Sequence, residues 1–332
     1  MTEPPRKRRF PAVPAALVEY VGMLAALAGL IAVFSFSTER FFSAANFRLI
    51  ANQNAYAIII AVGMTFVLII AGIDLSVGSV LALSGAILGV CIAQWRLPVL
   101  VGIAACLGVG LMCGLVNGFV SITWRLPSFI VTLGMLEIAR GATYWVTGSE
   151  TILISSSLEK VSEASVFGLS CPFLIAIAVV VVAQLVLSRT VFGRYMIAVG
   201  TNEEAVRLSG IDPRPIKLAV FVLCSLLTSV AAVLRTSRIN CANPNDGTGF
   251  ELQAIAAVVI GGTSLMGGRG SVVRSFFGVL IIAVLVNGLA QIGLGEHAKR
   301  LATGGAIVAA VILDYYRQRL RRPGGIAPSL TE

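Results

Sequence analysis

Gly193-Arg-Tyr-Met-Ile-Ala-Val-Gly-Thr-Asn-Glu-Glu-Ala-Val-Arg-Leu-Ser-Gly-Ile-Asp-Pro213 lies between two long apolar runs, 171–188 and 216–234, and carries Arg194, Glu203, Glu204, Arg207 and Asp212. Each flanking run approaches the ~20 residues needed to cross the hydrocarbon of a bilayer. The stretch is therefore a polar loop between two membrane spans. Within it the spacing predicts a short capped helix. Thr201 is the expected N-cap, with Glu204 three residues on completing a capping box. Gly210 supplies a C-terminal stop, and Pro213 prevents continuation. A helix of about two turns is marginal alone in water. Two readings fit equally at this point: a surface helix that docks on a partner, and an ordinary connector.

The rest of the chain repeats the apolar pattern. Of 332 residues, 57% are hydrophobic and 12% charged, about half the usual charged fraction of a soluble domain. Spans are expected at 20–36, 50–71, 75–94, 98–122, 127–147, 171–188, 216–234, 252–267, 272–292 and 299–314. The fold class expected is all-α, a polytopic membrane protein of about ten transmembrane helices. Gly72, Asp74 and Gly78 interrupt 50–94, and Pro244, Gly247, Gly249 and Gly261-Gly262 interrupt 238–270. Broken or re-entrant helices are expected at both, buried in protein or lining a cavity.

Assigning loops alternately puts sixteen Lys and Arg on the side of the 193–213 loop and eight on the other, with Arg140 inside a span. Cytoplasmic loops carry such an excess. Both termini and the loop are thus expected in the cytoplasm: residues 1–19 as a basic tail, 20–315 as one transmembrane domain with its loop at 189–215, and 316–332 as a second basic tail. The apolar run from Tyr20 to Phe36 is read as a retained first span, since no convincing cleavage site follows it. The net charge of +9 is spread over the loops, which speaks for a bilayer as partner and against nucleic acid.

Six cysteines show no Cys-x-x-Cys pair and His297 is the only histidine. No metal site, disulfide framework or cofactor is expected. No Gly-x-x-x-x-Gly-Lys-Ser/Thr loop occurs, so the chain has no Walker-type cradle for ATP phosphates. Polar residues inside the spans are the other candidates. Asp74 is an intramembrane carboxylate by position, but it also reads as the N-cap of a helix from Leu75. Asn54, Thr65, Ser128 and Thr132 join it as candidate lining of a pathway, against the commoner reading of helix-to-helix hydrogen bonds. Glu137 and Arg140 stand three apart on one helix face and are expected to form an ion pair. Gly110, Gly114 and Gly118 repeat every four residues, a ridge for close helix packing.

Three ordered blocks give the chain a resemblance. Gly193-Arg194, Ala198 to Asn202 and Ala205 to Ile211 form the first. Gly63-Met-Thr-Phe-Val with Gly72-Ile-Asp-Leu-Ser-Val-Gly78 lies upstream, and Glu251 to Gly270 lies downstream. From roughly Asn46 to Asp314 the sequence resembles the permease subunits of ribose-type ABC sugar importers of the bacterial inner membrane. The resemblance implies a transport subunit that is not an enzyme and that pairs with a second permease copy or close homologue. It implies ATP-binding cassette ATPase subunits gripping the cytoplasmic loops, and a periplasmic sugar-binding protein delivering substrate. Thr201, Glu203, Glu204, Ala205, Arg207, Leu208 and Gly210 would form the ATPase-coupling segment. An ion-coupled secondary transporter and an ABC permease for branched-chain amino acids are the alternatives; few ionisable groups in the spans count against the first.

Overall fold

The computed structural model describes residues 15–154, 158, 165–166 and 169–320. The basic clusters Arg6 to Arg9 and Arg321-Arg322, and the charged residues Glu159, Lys160 and Glu163, lie outside the described residues. Nine of the ten expected spans coincide with a helix along most of their length, and the remaining one, 252–267, is helical only to Ile260 and continues as a turn. In order the helices are α1 (Ala15–Ser37), α2 (Ala44–Ile69), α3 (Val77–Gly89, prolonged by a π-helical turn Val90–Gln94), α4 (Val99–Thr123), α5 (Ser128–Thr147) and α6 (Cys171–Arg189). Two short helices follow, α7 (Val191–Thr201) and α8 (Glu203–Leu208). Then come α9 (Arg214–Ile239), α10 (Phe250–Ile260), α11 (Val272–Gln291) and α12 (Glu296–Leu320). Among the described residues, strand structure is confined to two-residue pairs. β1 (Ile152–Leu153) pairs antiparallel with β4 (Cys241–Ala242), and β2 (Ser165–Val166) with β3 (Leu169–Ser170). The fold is all-α and polytopic: seven described helices are long and apolar enough to cross a bilayer.

Local chemistry sets the helix ends. Ser43 caps α2 by accepting from the Asn46 amide at 3.2 Å, and Ser170 caps α6, whose first turn holds Pro172. These side chains satisfy amides that have no partner within the helix. α5 ends at Gly148, whose φ of 61° is the left-handed stop.

α2 and α3 lie at the centre of the bundle, with 72% and 78% of their apolar windows buried against 11% for the peripheral α1. α9 lies along α2, and α4 packs on α9 through the expected glycine ridge. A Cβ on Gly114 would stand 2.7 Å from Val222 Cα, and one on Gly118 2.7 Å from Leu218 Cδ1. Small residues allow this backbone approach, which supplies the dispersion contact that holds helices together in lipid.

Both interruptions are present, and they meet. After α2 the chain turns at Ala71 (φ 58°) and runs without helix through 72–76 before α3 begins. The sequence expectation of Asp74 as N-cap from Leu75 is corrected here: α3 starts at Val77 and its N-cap residue is Ser76. The second break runs from Asn240 (φ 50°) to Gly249 (φ 83°), the N-cap of α10. At its start Ala242 touches Gly89 of α3; at its end the Gly247 backbone touches Gly78 near the first turn of the same helix. The eleven helical positions between these glycines correspond to roughly 16 Å at ~1.5 Å per residue. The segment therefore re-enters the bundle, and α10, with 11 residues, completes the passage from within it.

Candidate coupling and pathway sites

The polar stretch forms two helices where the sequence predicts one. Thr190 starts α7, its hydroxyl accepting from the Gly193 amide at 3.1 Å. Met196 and Val199 bury themselves in the main core. Gly200 is the closest approach: its Cβ position is occupied by the carbonyl oxygen of Ile69, and that same oxygen accepts from the Gly268 amide at 2.8 Å. α7, the C-terminal end of α2 and the 261–271 turn thus cross at one point. Gly267 and Gly268 reach it with φ of 79° and 72°, conformations that only glycine adopts readily.

Thr201 is not the cap. It is the last residue of α7, its hydroxyl donating to the Ile197 carbonyl at 2.7 Å. The N-cap of α8 is Asn202, extended at φ −161°, whose Oδ1 accepts from the Ala205 amide at 2.9 Å. No capping box forms, because Glu204 reaches forward to Arg207 at 2.6 Å instead of back. Glu203 pairs with Lys217 of α9 at 3.0 Å. At the other end Gly210 (φ 85°) donates to the Arg207 carbonyl and Ile211 to that of Val206, the paired hydrogen bonds that close a helix at a glycine. Val206 is 7% exposed and anchors α8, whereas Leu208 is 79% exposed. Ala205, Glu204 and Arg207 share the exposed side. Beside α8 opens a cleft of about 690 Å³, lined by Arg125, Glu203, Arg207, Asp212, Arg214 and Lys217 among others.

The expected pathway residues are mostly buried. Asp74 Oδ1 accepts from the Ser76 amide (2.9 Å) and hydroxyl (2.6 Å), and Asn117 donates to the same hydroxyl at 3.0 Å. Asp74 Oδ2 has no well-formed hydrogen bond; the Cys224 thiol is beside it. Ser128 accepts from the Ile73 amide at 2.9 Å, while Thr132 accepts from the Leu75 amide at 3.0 Å. These two hydroxyls pin the non-helical 72–76 segment to α5. Thr65 is fully buried, its hydroxyl 2.8 Å from that of Ser275. Asn54 donates to Ile50 O at 2.7 Å and lines a small cavity with Tyr56, Phe250 and Gln253.

The ion pair expected between Glu137 and Arg140 does not form. Glu137 is exposed on the outer face of α5. Arg140 Nη1 instead donates to the Pro244 carbonyl at 2.6 Å and the Asp246 carbonyl at 2.9 Å. Arg235, which the sequence places just beyond a span, lies on the last turns of α9 and holds Asp246 through two nitrogens at 3.2 and 3.1 Å. Its guanidinium also stands 4.8 Å from the centroid of the Tyr56 ring. The arginine-to-carbonyl contacts had no signal in local spacing. The Arg235–Asp246 pair had one: a carboxylate inside a Pro- and Gly-containing turn that follows closely after an arginine.

Comparison with known proteins agrees with this architecture. The family model described as "Branched-chain amino acid transport system / permease component" matches residues 46–313. The ribose import permease protein of Haemophilus influenzae is 40% identical over 296 residues, covering 88% of this chain and 91% of that one. The ribose import permease protein of Escherichia coli K12 is 39% identical, covering 89% and 93%. The fructose import permease protein of Rhizobium meliloti is 34% identical, covering 85% and 81%. No solved structure matches the chain significantly. With most of its length matched at this identity, the chain belongs to this family of multi-pass membrane permease components, in its ribose-type sugar branch.

Proposed function

We propose that the chain is the membrane-spanning subunit of an ATP-binding-cassette importer that carries a monosaccharide across the bacterial inner membrane. One observation carries the mechanism beyond family membership. α8 is short, capped at both ends and anchored by Val206, yet it leaves Leu208 79% exposed beside a charged cleft. A buried anchor with an apolar outer residue and a charged rim suits a docking helix. In this reading two ATPase subunits bind α8 from the cytoplasm, both termini lie on that side, and a second permease copy or close homologue completes the pathway. An extracytoplasmic sugar-binding protein delivers the substrate. ATP is bound and hydrolysed only by the partners. Their closure displaces α8, and the backbone junction of Gly200, Ile69 and Gly268 passes the movement to α2 and to the 261–271 turn. Packed elements of this kind switch between discrete arrangements and resist continuous deformation.

The test is reconstitution of the permease with its ATPase and binding protein in proteoliposomes. Labelled ribose, fructose, arabinose, allose and leucine are then offered with and without ATP. Uptake of at least one sugar that requires ATP is the expected result. ATP-driven uptake of leucine alone would favour the amino-acid reading. Uptake driven by an ion gradient without ATP would replace the proposal by a secondary transporter.

A further inference from the structure

The re-entrant 243–249 segment carries a second site. We infer that Tyr144, Asn245, Thr248 and Glu251 line the route of the neutral sugar at mid-depth in the membrane, with Arg140 and Arg235 as positioning residues behind them. The inference rests on the transport reading above.

Depth comes first. The segment runs along α3, which is long and apolar enough to cross a bilayer, from Ala242 against Gly89 to Gly247 against Gly78. Arg140 near the middle of α5 binds the carbonyls of Pro244 and Asp246, so this loop stands well inside the bundle. Asn245 and Thr248 are exposed there, and Glu251 is half-buried. The Tyr144 hydroxyl donates to Asn245 Oδ1 at 2.6 Å on the exposed side. Irregular backbone and exposed polar side chains at such depth are not tolerated against lipid, which offers them no hydrogen-bond partner. They must face water or protein. The exposed residues in the middle of α4 give the contrast: Leu111, Met112, Leu115, Val116 and Phe119 are all apolar, as a lipid-facing surface requires.

Rigidity comes second. Two arginines brace the loop from different helices, Arg140 from α5 through two carbonyls and Arg235 from α9 through the Asp246 carboxylate. Tyr56 and Phe250 stack at 5.2 Å and pack under Arg235. Gly78 and Gly247 allow the loop to lie against the start of α3, where any Cβ would collide with backbone oxygen. Fixed polar groups on a rigid support can orient a ligand without first being ordered.

Chemistry comes third. A phenol, an amide, a hydroxyl and a carboxylate offer both donors and acceptors, and the nearest cation is committed to backbone carbonyls. That set suits a neutral polyol that must be held weakly and released. The same face of the second permease copy would form the opposite wall.

The experiment uses the assembled transporter in a cysteine-free background. Asn245→Cys and Thr248→Cys are compared with Met112→Cys and Phe119→Cys for labelling by a water-soluble methanethiosulfonate. Labelling is measured in the resting state and after ATP with vanadate. The two loop positions should react several times faster than the two controls, with a rate that changes between states. In parallel, Asn245→Leu should lower sugar uptake per assembled complex by about tenfold, equivalent to ~1.4 kcal/mol, with thermal stability unchanged. Loop positions that react no faster than Met112→Cys in either state would overturn the inference, and so would unchanged uptake by Asn245→Leu. Wild-type sugar uptake in the same vesicles separates the two levels. If the wild type moves sugar and the loop does not label, only this inference fails. If the wild type moves no sugar, the transport reading itself fails.

Discussion

Gly200 meets Ile69 backbone to backbone: the position of a Gly200 Cβ is held by the Ile69 carbonyl oxygen. That contact joins the short helices α7 and α8 to the C-terminal end of α2, one of the two most buried helices of the bundle. A side chain at Gly200 cannot be accommodated by moving a flexible neighbour, because the obstruction is main chain.

Gly200→Ala should therefore destabilise the protein by more than the ~1–3 kcal/mol typical of overpacking. Gly108→Ala, where nothing lies within 4 Å of the new Cβ, should be neutral. Thermal unfolding of the purified permease in detergent compares them directly. Equal unfolding temperatures would mean that α7 does not seat on α2 as described.

The cap of α8 gives a second comparison. Asn202→Ala removes the acceptor of the Ala205 amide and should cost roughly 1 kcal/mol of local helix stability. Thr201→Ala removes only a hydroxyl that back-bonds within α7 and should cost less. Hydrogen exchange at the Ala205 amide reads the difference, with faster exchange expected in Asn202→Ala. Greater loss in Thr201→Ala would restore the capping-box reading of the sequence.

The sequence was legible where the membrane imposes its rule. Bilayer thickness sets the apolar runs, so nine of the ten expected spans fell on a helix, while 252–267 proved to be an 11-residue helix followed by a glycine-rich turn. The Gly110, Gly114 and Gly118 ridge and the two interruptions were visible for the same reason, since small residues and chain breaks are conspicuous inside apolar stretches. What was hidden depended on partners distant in sequence. Thr201 and Asn202 are both good caps in adjacent positions, and the choice between them follows from where α7 ends against Ile69 and Gly268. Glu137 and Arg140 share a helical spacing, but Arg140 is drawn to carbonyls freed by a turn more than a hundred residues away. Ser128 and Thr132 each accept from an amide of the 72–76 segment, a contact that local spacing does not reveal.

Arg140→Leu should destabilise the permease by about 1 kcal/mol or more, the cost of leaving two part-buried carbonyls without donors. Glu137→Gln should change stability little, since its exposed carboxylate makes no ion pair with Arg140. Unfolding temperatures of the two variants check this. Matching losses in both would indicate that the two side chains do act as a pair.

Orientation can be read by labelling intact cells. With α8 in the cytoplasm, Leu208→Cys should be protected from an impermeant thiol reagent, while Glu150→Cys, at the opposite end of α5, should react. The reverse pattern would invert the topology argued from the sixteen-to-eight charge asymmetry.

The central claim is that α8 transmits ATPase movement to the spans. Ala205 is exposed on α8 beside Leu208, so Ala205→Trp should leave the permease folded and in the membrane while blocking a close-fitting partner. Gly210→Val should act at the same place by opposing the left-handed conformation at φ 85°. The decisive measurement is co-purification of the ATPase with each variant, together with sugar-stimulated ATP hydrolysis in proteoliposomes. The account predicts wild-type amounts of permease with the ATPase lost or its hydrolysis no longer stimulated by sugar. Normal ATPase binding and normal stimulation in both variants would show that α8 is only a connector.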